Sequence, residues 1–120
     1  IAPYGQAARS ALQYAAVWDV IQNKLVYGEN VAQALQFAQT GNADVAIVAL
    51  SLLRSPQLAG QGSSWLIPND WHLPLEQAMV VTKRGQKNRM AIQYANFMKS
   101  AKAQKILMRY GFLPPSRDLL

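Results

Sequence analysis

The chain has 120 residues, 51% hydrophobic and 15% charged, with a formal net charge of +6. That balance excludes a disordered chain and suits either one domain or a piece of a larger fold. The absence of cysteine removes disulfides, thiolate nucleophiles and cysteine zinc sites at once.

Pro3-Tyr4-Gly5 leads into QAARSALQYA, whose Ala7, Ala8, Ala11, Leu12 and Ala15 recur at helical spacing. VWDVIQNKL follows as a short second helix ending near Asn23. Lys24 to Tyr27 is expected as a short strand stopped by Gly28. A helix from about Asn30 to Thr40 sets Val31, Ala34, Leu35 and Ala38 on one face, with Phe37 alongside and Gly41 as a left-handed cap. The apolar run from Asp44 to Leu50 has the character of a buried parallel strand. Arg54 to Ser64 is expected as a loop, Trp65 to Pro68 as a short strand, and Pro68 to Pro74 as an irregular connection. Leu75 to Thr82 is expected as a returning strand. Two amphipathic helices close the chain, Asn88 to Lys99 and Ala101 to Tyr110. Their expected apolar faces hold Ala91, Tyr94, Ala95 and Met98, then Ile106, Leu107 and Tyr110, with Gly111 as the final cap.

Helices alternating with strands predict an α/β fold with a mostly parallel, doubly wound sheet and flanking helices. A sheet of that type begins with a strand feeding the first helix, and none precedes Pro3-Tyr4-Gly5. Ile1-Ala2-Pro3-Tyr4 reads neither as a native start nor as a signal peptide, so the chain is expected to begin inside a longer protein. Residues 1–75 are expected to form most of one lobe. Residues 76–120 supply a return strand and C-terminal helices that pack on another.

Catalytic chemistry is not legible. His72 is the only histidine and sits in a Pro-flanked loop. No nucleophile elbow, P-loop, paired carboxylates or metal-ligand cluster appears. The expectation is a protein that is not an enzyme, with no catalytic residue, no cofactor and no metal site. Lys83, Arg84, Lys87, Arg89, Lys99, Lys102, Lys105 and Arg109 form a cationic stretch with no acid among them. It reads as a solvated helix face, although such a stripe can meet nucleic acid, a membrane surface or an acidic partner. Tyr94, Phe97 and Tyr110 fall at core spacing rather than standing as base readers, so nucleic acid is not the expected partner.

What remains is a pair of helix starts, Tyr4-Gly5 and Asn30-Val31. Helix N-termini present unpaired N–H groups and a partial positive charge, which suit a small anion. The competing reading is purely structural: Asn30 caps its own helix and Pro3 fixes the first turn.

The stretches APYGQAARSAL, LVYGENVAQALQFAQTGNADVAIVAL and QKILMRYGFLPP resemble the molybdate-binding members of the periplasmic solute-binding proteins that serve bacterial ABC transporters. The resemblance covers nearly the whole chain, in order and at natural spacing. It implies a type 2 periplasmic-binding-protein-like fold, present here as the C-terminal half of a two-lobed molecule. The implied ligand is molybdate or tungstate, with molybdenum entering only as the bound oxyanion. The implied site is Tyr4 and Gly5 at the first helix start and Asn30 and Val31 at the next, with peptide N–H groups as donors. Some relatives place a ligand-touching tyrosine where Ala49 stands, so that contact is absent here. The resemblance also implies a periplasmic or lipid-anchored protein, a membrane permease as partner, and an N-terminal half or second chain that completes the fold. Two alternatives are an effector-binding domain of a transcriptional regulator and a binding protein for sulfate or phosphate.

Overall fold

Pro3 opens the first helix because its fixed φ already suits the first turn and its missing N–H would have no acceptor there. In the computed structural model, which describes residues 2–58 and 60–114, helix α1 spans Pro3–Tyr14 after an extended Ala2. A tight turn leads to α2 (Trp18–Ile21), which continues as a 3-10 turn over Gln22–Lys24. Helix α3 covers Val31–Gln39 and α4 is a single turn, Leu50–Leu53. A 3-10 turn at Asn69–Trp71 lies against α1. Contacts divide the chain into two units, Ile1–Glu76 and Gln77–Leu120.

Aromatic side chains organise the first unit. Tyr14 stacks on Trp71 at 5.1 Å between ring centroids, and Trp65 meets Trp71 edge-on at 5.4 Å. The Arg9 guanidinium lies 4.8 Å over the Trp18 ring and ties α1 to α2. His72 Nδ1 lies 2.8 Å from the Leu73 carbonyl oxygen. A carbonyl only accepts, so that ring nitrogen carries the proton.

The second unit holds a 3-10 turn over Lys83–Gly85 and helices α5 (Arg89–Met98) and α6 (Ala101–Arg109), which pack together. Each start has a side-chain cap. Thr82 Oγ1 accepts from Gly85 N–H, Asn88 Oδ1 from Met90 and Ala91 N–H, and Ser100 Oγ from Ala103 N–H. Gln104 Nε2 donates to the Met98 carbonyl at 2.8 Å and joins the two helices. At the end of α6, Gly111 adopts φ +92 while its N–H bonds Met108 O and the Phe112 N–H bonds Leu107 O. That pattern satisfies terminal carbonyls through a residue in the left-handed region, where glycine bears no Cβ penalty.

The expected strands do not form among the described residues. Lys24 lies in a 3-10 turn and Leu50 begins α4. The rest of 25–27, 44–49, 65–68 and 75–82 makes no ladder. A strand exists through hydrogen bonds to a neighbouring strand, and an apolar run supplies only one side of that pairing. The doubly wound sheet is therefore not built by these residues alone.

Burial tells the same story. Among the described residues the buried hydrophobic side chains are Ala11, Ala49 and Ala103, whereas Val45 is 80% exposed and Val80 81%. Tyr94, Phe97 and Ile106, expected on the inner faces of the last two helices, are exposed as well. The chain presents 10164 Å² to solvent.

One strained position is local. Ala16 takes φ +56, with its N–H on Gln13 O and the Val17 N–H on Leu12 O, the same helix-ending pattern without a glycine. Left-handed backbone costs an L-residue roughly 1–2 kcal/mol. Ala16→Gly is therefore expected to raise stability by about 1 kcal/mol, read as an upward shift of the thermal midpoint. A lower midpoint would contradict the strain assignment.

Candidate anion site

Helix α3 begins with a closed hydrogen-bond box. Asn30, extended at φ −153 and ψ 172, accepts from Gln33 N–H through Oδ1 at 2.9 Å. Gln33 returns its own Oε1 to the Glu29 N–H at 2.6 Å. This resembles a capping box displaced by one residue, because the returning side chain takes the N–H before the cap. Asn30 does cap its own helix, as the structural reading of the sequence held. The box uses only one donor of the first turn. The N–H groups of Asn30, Val31 and Ala32 have no partner among the described residues.

Gly28 fixes how the chain enters that turn. A Cβ built on it would stand 2.8 Å from Ala34 N and 2.9 Å from Asn30 O, both backbone atoms of the helix start. The incoming segment therefore lies directly on the first turn, where only a residue without a side chain fits.

The start of α1 is simpler. Ala2 has no capping side chain, Pro3 has no N–H, and Gln6 N–H is taken by Ala2 O at 3.0 Å. Tyr4 and Gly5 N–H are left without a partner among the described residues. Tyr4 is half-buried and Gly5 exposed. No residue in the first turn of α1 or α3 is charged. Each start thus offers a helix-dipole end with unpaired donors and no cation, and at α3 the Glu29 carboxylate stands one residue before the cap.

Tyr4 and Gly5 belong to one local arrangement, and Gly28, Asn30, Val31 and Gln33 to another. Helices α1 and α3 share no extensive interface. Ala49 stands apart as the buried, extended residue before α4, with its carbonyl accepting from Leu52 N–H. A cavity of about 260 Å³ runs along α1 past Pro3, Gln6 and Ser10, but Tyr4 and Gly5 do not line it and Glu76 does. A carboxylate in its wall makes it a poor receptor for an anion. Gln33 and Gly28 were not singled out from the sequence as site residues. The Asn-x-x-Gln spacing carries the first. Among the described residues no group of three histidines or carboxylates could hold a metal ion, and no helix is long and apolar enough to cross a membrane.

Residues 1–113 match the sequence model of a family described as bacterial extracellular solute-binding protein. The chain belongs to that family. It is 40% identical over 114 residues to the molybdate-binding protein ModA of Rhodobacter capsulatus, a match covering 93% of this chain and 43% of that protein. It is 38% identical over 112 residues to ModA of Azotobacter vinelandii, covering 92% and 44%. The solved structure of the Azotobacter vinelandii periplasmic molybdate-binding protein superposes with a TM-score of 0.84 at 31% identity, covering 97% of this chain and 51% of that one. This family member therefore spans about half the length of the relatives it matches, and over that half it shares their fold.

The box and the close approach are testable by themselves. Gly28→Ala is expected to displace the first turn of α3 and destabilise the protein by about 1–3 kcal/mol. Asn30→Ala is expected to cost about 1 kcal/mol through the lost cap. Chemical denaturation checks both, and an unchanged midpoint in Gly28→Ala would contradict the close packing.

Proposed function

We propose that the chain is the C-terminal part of the solute-binding component of a bacterial ABC importer for molybdate or tungstate, working outside the cytoplasmic membrane with a membrane permease. The observation that carries this reading is the pair of helix starts at Tyr4-Gly5 and Asn30-Val31-Ala32, with unpaired donors at both and no cation in either first turn. The relatives named as molybdate-binding proteins supply the ligand class. No catalytic step belongs to it.

Donors without acceptors suit this ligand. Molybdate near neutral pH is an unprotonated dianion that accepts at every oxygen and donates nothing. Phosphate keeps at least one proton there, and its buried O–H would find no acceptor in a site made of N–H groups. A buried polar group left unpaired costs about 1–3 kcal/mol, which is roughly tenfold or more in affinity. Sulfate has the same acceptor pattern as molybdate, so it is separated by size. Charge-assisted hydrogen bonds and the dipole ends of two helices offset removal of the dianion from water. In this reading Val31 and Tyr4 give peptide N–H donors, Gly5 and Asn30 shape the two turns, and Ala49 leaves space where some relatives carry a tyrosine.

The same reading completes the fold. The segments at 25–27, 44–49, 65–68 and 75–82 are strands of a doubly wound sheet whose missing partners lie in the other half of the two-lobed molecule. That half also supplies further anion ligands and covers Tyr94 and Phe97. Hence the 120-residue chain alone is expected to bind oxyanion weakly or not at all.

Val31→Pro tests the central donor in the completed protein. Val31 is the first residue of α3 and follows an extended Asn30, so proline fits without breaking the helix and removes only the N–H. A hydrogen bond to a charged group is worth about 1.5–3 kcal/mol, so molybdate affinity should fall by tenfold or more. Val31→Ala should stay close to the parent. Calorimetry that finds equal affinity for all three would contradict the assignment.

A further inference from the structure

The second unit contains a long stretch of one sign of charge. Between residues 83 and 109 it carries eight cations and no acid, so no ion pair can form within that stretch. Protein surfaces ordinarily mix both signs. Arg89 is the first residue of α5, Lys102 is the second of α6, and neither first turn holds an acid. Helix dipoles favour anions at those positions, so these cations stand against local stability.

Helix α6 gathers the charge into a face. At 3.6 residues per turn, Lys102, Lys105 and Arg109 fall on one side, with Lys99 just ahead of the helix. All four are exposed. The opposite side carries Ala103, which is buried, and Leu107, which is half-buried. Ile106 sits among the cations and is 41% exposed. An apolar residue ringed by long flexible cations suits a surface that is anionic outside and apolar beneath, since lysine stems lie along apolar surface while their heads stay in the polar layer.

We propose that this face of α6 docks on an anionic lipid bilayer surface, with lysine heads among the phosphate headgroups and Ile106 against the acyl boundary. The composition separates this from an acidic protein partner, because protein interfaces favour arginine and are depleted in lysine, and the face is mostly lysine. Clusters of four to eight lysines and arginines are the signature of an anionic leaflet, each cation adding about fivefold to partitioning.

Co-sedimentation of the completed protein with phosphatidylglycerol vesicles tests it, with phosphatidylcholine vesicles as the neutral comparison. Binding to the anionic vesicles alone, lost at high salt, is expected. The triple variant K99Q/K102Q/K105Q should bind about a hundredfold more weakly, while K83Q/R84Q/K87Q removes the same charge away from α6 and should lose less. Circular dichroism confirms that both variants keep their helices. Equal binding to neutral vesicles would assign the effect to the exposed apolar residues and overturn the proposal. Equal losses in the two triples would assign it to net charge and overturn it too. Retention on immobilised polyglutamate without vesicle binding would point to an acidic protein partner instead. Inorganic phosphate at matched ionic strength should not displace the chain from vesicles, and displacement would indicate a single anion pocket rather than a surface.

Discussion

Every peptide N–H and C=O removed from water must find a partner, and this chain leaves that requirement open in two kinds of place. At the starts of α1 and α3 a few donors remain unpaired after the local caps have taken theirs. Along 44–49 and 75–82, apolar segments make no ladder hydrogen bonds. The first kind is small, pointed and uncharged, and suits a small anion. The second is long and apolar, and suits another polypeptide. The limited burial follows from the second: side chains such as Val45 and Val80 cannot be covered until their strands have neighbours.

The electrostatics divide along the same lines. In the first unit neither helix start has a cation in its first turn, and Arg9 lies over Trp18. A small anion placed there would face backbone dipoles rather than a side-chain cation. Fixed dipoles discriminate by geometry and hydrogen-bond pattern, whereas a mobile lysine would attract any anion. The second unit holds Lys99, Lys102 and Lys105 exposed at α6, a spread arrangement that suits an extended anionic partner better than one small ion.

What the sequence made legible was local. The Asn30 cap, the proline at the first turn of α1 and the Gly111 ending are decided within a few residues, and each appears where the pattern places it. The turn at Ala16 was hidden because the usual marker, a glycine, is missing there. The strands were read from apolar runs, a pattern that reports a tendency and not a partner. Lys24 and Leu50 show the consequence, since both joined helical turns instead. Tyr94, Phe97 and Ile106 have core spacing yet lie exposed. Periodicity identifies the face that seeks cover and says nothing about what covers it. The site was legible only as two helix starts, because bringing such starts together is a property of the tertiary fold.

The most direct measurement is an amide NMR titration of the completed protein with molybdate. The account predicts that the N–H resonances of Tyr4, Gly5, Val31 and Ala32 move together and saturate at one equivalent, while the amides near the lysines of α6 stay in place. Movement confined to the cationic helices, or saturation that leaves Tyr4 and Val31 unaffected, would contradict it.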